Sequence, residues 1–424
     1  MPAISNFREA RNGEKRFTYA LDRLAPMKFK KLLLQTARSL GVEIRRYTPA
    51  SYSTRCVSLA ANPDVPTRGT VLLSYILAPF LLKPGQSISR VHNHHLESTL
   101  IARTFQDLGY AVDVIDFHNN AFIPVKDYAF FVSARTHLET ISKRLNGDCI
   151  KIAHLDTAHF LFNNTASYTR ALALQQRRGI TLPESMRLIE NNRGIESADY
   201  GVVLGNLYTV GTYRYAGKPL FALPAPAAAI SHPWNDKKDF DAARNRFLWL
   251  GSAGFVHKGL DLVLETFANT PKMHLTVCGP IKSEHNFRLA YHKELFDTTN
   301  IHTIGWVDIA GDEFRHIAEE TTAVVYPSCA EGQVTSVLNC MRAGLIPVIT
   351  RESGIDIADF GVMLKDASID AIRKAIESLA SLPASRLRDM SRKAWEYANE
   401  NHSAEKYCSE YRNILMRILA DRSV

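Results

Sequence analysis

The chain has 424 residues, 46% of them hydrophobic, and a formal charge of +8, a length and composition suited to two well-packed domains. Its six cysteines show no C-x-x-C pair and no framework spacing, which argues against a disulfide scaffold and for a reduced, cytoplasmic compartment. The first residues, MPAISNFREARNGEKRF, lack the apolar core of a signal peptide, and the longest apolar run, Val71 to Leu82, is interrupted by Ser74, Tyr75 and Pro79, too short to span a bilayer.

The charge is uneven. The first 250 residues carry 32 Lys and Arg against 20 Asp and Glu, and the remainder 19 against 23, so the amino-terminal half is the one expected to meet something anionic. Residues 1–68 read as a polar, basic lead-in in which Lys28, Lys30, Lys31, Arg38, Arg45 and Arg46 surround Leu32-Leu33-Leu34. A solvated helix covering a sheet is the favoured reading of this segment. The alternative is peripheral docking on an anionic membrane surface, or steering of a phosphate-bearing acceptor. Neither aromatic interleaving nor a recognition motif accompanies the basic residues, so no nucleic-acid partner is expected.

Thr70 to Leu77 is the first convincing strand. A helix from about Ser89 to Leu108 follows, ended by Gly109, and Ala111 to Asp116 returns as a strand, which together make a right-handed parallel βαβ unit. Further strands are predicted at Tyr128 to Val132, Cys149 to Ala153, Tyr200 to Leu204 and Pro219 to Leu223. Pro224 to Ala229 and His232 to Lys238 have no periodicity and several prolines, as expected of a linker between an amino-terminal domain, 1–232, and a carboxy-terminal one, 240–424. Strands resume at Phe247 to Leu250, His274 to Val277, Ile301 to Gly305, Ala323 to Tyr326 and Ile346 to Ile349, alternating with helices, and Ala384 to Leu419 is strongly helical. The fold class is α/β in both halves.

Two stretches carry chemistry. In FLWLGSAGFVHKGLDLVLETF, Phe247 to Phe267, a buried strand runs into a loop with Gly251 and Gly254 and a helix begins near Lys258-Gly259. Backbone amides at such a turn can approach an anion, and Lys258 adds a full charge. In AVVYPSCAEGQVTSVLNCMRAGLIPVITRESG, Ala323 to Gly354, a strand closed by Pro327 leads to Glu331 and then to a helix opening near Gln333, with Val334, Val337, Leu338 and Met341 on one face, and stopping at Gly344. Ligands of open α/β sheets bind at this carboxyl edge, where Glu331 and the Gly332-Gln333 amides lie. In the amino-terminal half, His92, His94, His95, His118, His154 and His159 are candidates. The His154-Leu155-Asp156 turn is favoured for catalysis because it follows a strand and should face the cleft. No Cys or carboxylate set completes a four-ligand zinc site around the first three histidines, so no metal is expected.

The second stretch resembles the donor-site signature of retaining glycosyltransferases with two Rossmann-like domains, the GT-B fold of glycosyltransferase family four. There a P-S-x-x-E-G turn opens the motif Glu-x7-Glu. Pro327, Ser328, Glu331, Gly332, Gly344 and Pro347 match, while the second glutamate position holds Asn339. The resemblance implies two Rossmann-like domains facing a cleft, with the carboxy-terminal helices closing back. It implies a UDP- or GDP-linked sugar as donor, a glycan, polysaccharide or lipid-linked acceptor, retention of configuration, and no cofactor beyond the co-substrate. Gly251, Ser252, His257 and Lys258 would border the diphosphate, with Ser252 where the family has an arginine; His257 and Arg351 are candidates for the missing cation. Gly279, Trp306 and Val307 resemble segments bordering the base, although apart from the surrounding match ordinary turns with a buried Trp306 are the preferred account of them. Glu331 would hold sugar hydroxyls, Gly332, Gln333, Val334 and Thr335 would line the turn, and Asn339 would face the ribose. Ser252 and Asn339 leave two competitors, a sugar-nucleotide-binding protein without turnover and a two-domain sugar-nucleotide epimerase.

Overall fold

The computed structural model describes residues 54–422 apart from 84, 87, 89–92 and 228–231. The basic segment from Lys28 to Arg46, and His92, lie outside the described residues. Seven strands form the first sheet: β1 Cys56–Leu59, β2 Gly69–Tyr75, β3 Tyr110–Asp116, β4 Phe130–Ser133, β5 Ile150–Leu155, β6 Tyr200–Leu204 and β7 Leu220–Leu223. Their order is β1-β3-β2-β4-β5-β6-β7, parallel except for β1, which runs antiparallel to β3. Six form the second: β8 Arg246–Leu250, β9 His274–Cys278, β10 Ile301–Gly305, β11 Ala323–Tyr326, β12 Ile346–Ile349 and β13 Val362–Met363. These are ordered β10-β9-β8-β11-β12-β13 and are parallel throughout.

Every strand predicted from apolar runs is present within a few residues of its expected ends, because parallel strands covered on both faces must be apolar almost continuously. All four residues of β4, β11 and β12 are buried. Edge strand β1 was not predicted. It alternates exposed and half-buried residues and is tied to the sheet by Ser58 Oγ donating to Asp113 Oδ1 at 2.6 Å.

Among the described residues, helices of eight residues or more are α1 His94–Asp107, α2 Phe160–Arg178, α3 Leu260–Ala268, α4 Asp312–Glu320, α5 Thr335–Arg342, α6 Ile369–Ala380, α7 Ala384–Asn401 and α8 Ala404–Asp421. Among the described residues no helix is long and apolar enough to cross a membrane. The helical end expected as one stretch is two helices: the chain breaks at His402, and Ser403 caps α8 by accepting from the Lys406 amide at 3.1 Å. Helix α7 packs on α5 and β12 of the second sheet, while α8 crosses to α1 and β7 of the first, burying Tyr407 and Tyr411 completely. The break is stapled to the other passage between halves. The Ala227 amide donates to the His402 carbonyl at 2.8 Å, and His402 Nδ1 donates to the Ala225 carbonyl at 2.9 Å.

Candidate active site

Each sheet winds first one way and then the other, and the reversal leaves a crevice at the carboxyl ends of the strands flanking it. In the second sheet that point lies between β8 and β11. The loop after β8 carries Lys258, and the turn after β11 carries Glu331. Gly259, at a left-handed φ of 75°, starts α3; a methyl there would stand 2.6 Å from the Pro327 carbonyl oxygen, so the two loops are in backbone contact. Lys258 Nζ lies 3.2 Å from Glu331 Oε1, which also accepts from Ser328 Oγ at 3.0 Å. Both charged residues are more than nine-tenths buried. The structure therefore brings the two expected site residues together, and pairs them directly.

The first half reaches into this point. Arg187, on the aperiodic segment after α2, donates from a guanidinium nitrogen to Glu331 Oε2 at 2.5 Å. Its carbonyl is held by Asn163 Nδ2 at 2.7 Å and faces Ser167 Oγ at 3.2 Å. Burial opposes ionisation of Glu331, but the Lys258 and Arg187 charges outweigh it and hold its pKa down at about 2. Burial pulls the Lys258 ammonium below its ordinary range, with Glu331 opposing that shift and Arg187 reinforcing it. Gly332, beside Glu331, packs on the opposite sheet edge: a methyl there would stand 2.6 Å from the Asp156 carbonyl oxygen and 3.0 Å from that of Leu204. The carboxyl edges of the two sheets thus face and touch each other.

His257 is wholly buried. Its Nε2 lies 2.6 Å from the Ala330 carbonyl oxygen, to which it donates, leaving Nδ1 to accept from Ser167 Oγ at 2.6 Å. Burial pushes its pKa down to about 3. It is a neutral staple between Ala330 and Ser167; Arg351, the other group considered for the diphosphate, has its guanidinium 5.0 Å from the centre of the Tyr208 ring.

The glycine loop departs from expectation as well. The Gly254 and Phe255 amides donate to the buried Glu284 carboxylate, the Gly251 amide to Cys278, and those of His257, Lys258 and Gly259 to Ser185, Gly254 and Val256 carbonyls. A cradle of loop amides open to an anion is therefore not what these six residues form. Ser252 is exposed at the loop's tip. The Gly279 amide donates to the Gly305 carbonyl at 2.7 Å, aligning the ends of β9 and β10. Beyond them Val307 is buried, but Trp306 is 65% exposed, contrary to the buried-tryptophan account of that turn. Gln333 Oε1 accepts from the linker amide of Ala225 at 2.7 Å. Val334 precedes α5, Thr335 opens it and Asn339 is half-buried in its second turn.

At the reversal of the first sheet, between β2 and β4, a buried polar cluster gathers that was not visible in the sequence. Tyr75 Oη donates to Glu97 Oε2 at 2.7 Å and lies 2.6 Å from His94 Nδ1, while Asp156 Oδ2 accepts from Arg135 at 2.6 Å. His154 does not face the cleft as expected. It is fully buried, its ring 5.4 Å from that of Tyr75 and its Nε2 3.9 Å from Glu97 Oε2, too long for a hydrogen bond. Asp156, two residues on, reaches the interface through its carbonyl. His118 pairs with Asp116 at 2.9 Å and His159 with Tyr215 at 3.1 Å. Among the described residues no three His, Cys, Asp or Glu side chains are grouped to hold a metal ion.

Two of the buried histidines contribute strongly to the pH dependence of stability. His257 and His402, held at about 3 and about 4 by burial, stay neutral in the folded chain but take up protons near pH 6.5 when unfolded. Between those values the unfolded state binds more protons, so stability is complete above about pH 6.5 and falls as pH drops, by on the order of 1–2 kcal/mol per histidine at pH 5. Urea unfolding at pH 7 and pH 5 should show a loss, and His402→Gln should reduce it by the share of one histidine, on the order of 1–2 kcal/mol. An unchanged pH dependence in the variant would contradict the assignment.

Two facing α/β halves with helices closing from the second back onto the first are the GT-B glycosyltransferase fold. Residues 244–381, which include both Lys258 and Glu331, match the family model described as glycosyl transferases group 1. No curated protein matches the chain in sequence. Among solved structures it is similar to sucrose-phosphate synthase (tll1590) of Thermosynechococcus elongatus, at 13% identity and a TM-score of 0.58, covering 84% of this chain and 100% of that one. It is similar also to Anabaena Alr3699/HepE in complex with UDP-glucose, at 10% identity, a TM-score of 0.54 and coverage of 82% and 99%. A glycosyltransferase from Rickettsia africae ESF-5 gives 10% identity, 0.54, and 83% and 99%.

Proposed function

We propose that the protein is a glycosyltransferase that moves a sugar from a UDP- or GDP-linked donor to a glycan, polysaccharide or lipid-linked acceptor in the cytoplasm, with retention and without a metal. The observation that carries this reading is the buried Lys258–Glu331 pair at the β8/β11 reversal, closed over by the edge of the first sheet. The family match over the same residues supports it. In the reaction the bond from the anomeric carbon to the diphosphate oxygen breaks, and its electron pair leaves with the diphosphate. The acceptor hydroxyl oxygen bonds to that carbon and gives its proton to the departing diphosphate. Lys258 stabilises the growing negative charge, which in a water-poor site is worth more than in bulk solvent. Glu331 orients the sugar hydroxyls, and Asp156 closes the turn from the other side. Asn339 in place of an acid forfeits the difference between a charge-assisted hydrogen bond, about 1.5–3 kcal/mol, and a neutral one, about 0.5–1.5 kcal/mol, which weakens donor binding without abolishing turnover.

The test is nucleoside diphosphate release from a panel of UDP- and GDP-sugars, with and without a glycan lysate as acceptor, repeated in EDTA. Release that depends on acceptor and is unchanged by EDTA is the expected result. Donor binding with no release would favour a sugar-nucleotide-binding protein, conversion of the donor without acceptor an epimerase, and a reproducible loss with EDTA would remove the metal-free mechanism.

A further inference from the structure

Resting on that reading of the site, we propose that Arg187 is the second cation on the donor diphosphate, so that the diphosphate is gripped by one positive side chain from each half of the molecule. Three observations lead there. First, the charges around Glu331 do not balance: one carboxylate meets two cations, Lys258 at 3.2 Å and Arg187 at 2.5 Å, while His257 is neutral. A buried group with an excess positive charge favours an anion beside it. Second, six amides of the glycine loop are already bonded within the protein, two of them to Glu284, which leaves more of the charge on the ligand to side chains. Third, Arg187 packs against that loop from the segment after α2 and is the most exposed of the three. A methyl on Gly254 would stand 3.6 Å from Arg187 Cβ, and the Arg187 side chain is 33% exposed where those of Lys258 and Glu331 are 6% and 9%. It is the member of the trio that an arriving anion meets first.

The backbone is built to hold it there. The Arg187 carbonyl is fixed by Asn163, and two residues on, Ile189 exchanges hydrogen bonds of 3.0 Å in both directions with Asn164. Asn163 closes the first turn of α2 and Asn164 opens the second. A guanidinium offers five N–H donors in a planar fork suited to phosphate oxygens, and the Glu331 contact is made through one terminal nitrogen. Glu331 keeps the arginine in register until the donor arrives, and the donor then bridges the two halves.

Calorimetric titration of the full-length protein, wild type and Arg187→Ala, with uridine and guanosine and their mono- and diphosphates tests this. Wild type should bind one diphosphate more tightly than its monophosphate. Arg187→Ala should weaken the diphosphate by about 10–100-fold, leave the nucleoside unchanged, and so collapse that ratio. Arg187→Lys, which keeps the charge and serves if the alanine variant does not fold, should retain part of the preference. A structural latch would alter the melting temperature but leave the diphosphate-to-monophosphate ratio as in wild type, and that result would overturn the proposal. Wild type binding neither diphosphate would overturn the donor reading itself, and the role of Arg187 with it.

Discussion

Lys258→Ala is expected to cut the rate of sugar transfer by about 10²–10³-fold, the usual effect of removing one preorganised charge from a developing anion. The effect should fall on kcat more than on KM, because the leaving diphosphate carries more charge in the transition state than in the bound donor. Stability should change less than for most buried ion pairs. Breaking such a pair typically costs about 3–5 kcal/mol by stranding the other charge, but here Glu331 keeps Arg187 at 2.5 Å and Ser328 at 3.0 Å. Circular dichroism and thermal melting on the same preparation separate the two effects. A folded Lys258→Ala protein with near wild-type kcat would refute the placement of the diphosphate.

Gly332→Ala should be nearly as damaging for a different reason. The added methyl would stand 2.6 Å from the Asp156 carbonyl oxygen and 3.0 Å from that of Leu204. Both are backbone atoms at the ends of the first sheet, with no rotamer to relieve the overlap. Overpacking of this kind costs about 1–3 kcal/mol, and the strain is relieved by moving the edges apart, which carries Arg187 and the Asp156 turn away from Glu331. We expect at least a tenfold loss of transfer with unchanged secondary structure and a larger radius of gyration by small-angle scattering. An active variant of unchanged dimensions would show that contact between the edges is not needed for turnover.

Lys258 and Glu331 were legible from sequence because each follows a four- or five-residue apolar strand and precedes an amphipathic helix, a local pattern confined to about twenty residues. Arg187 was not, since its partner is 144 positions away and MRLIE, with its neighbours, follows no period. Glu284 was hidden likewise: nothing near it announces that its carboxylate will cap a loop 30 residues earlier. His154 shows the opposite failure. It sits at the end of a correctly placed strand, but β5 is buried to its last residue, and only the next turn emerges at the edge. The break between α7 and α8 is not legible in the sequence because His402 interrupts no hydrophobic spacing.

The two passages of chain between the halves, at 224–227 and at His402–Ser403, are laced to each other, and Gln333 ties the donor turn to the same place. Any opening between the halves is therefore restrained at this place, where Gln333 of the donor turn is itself one of the tied residues.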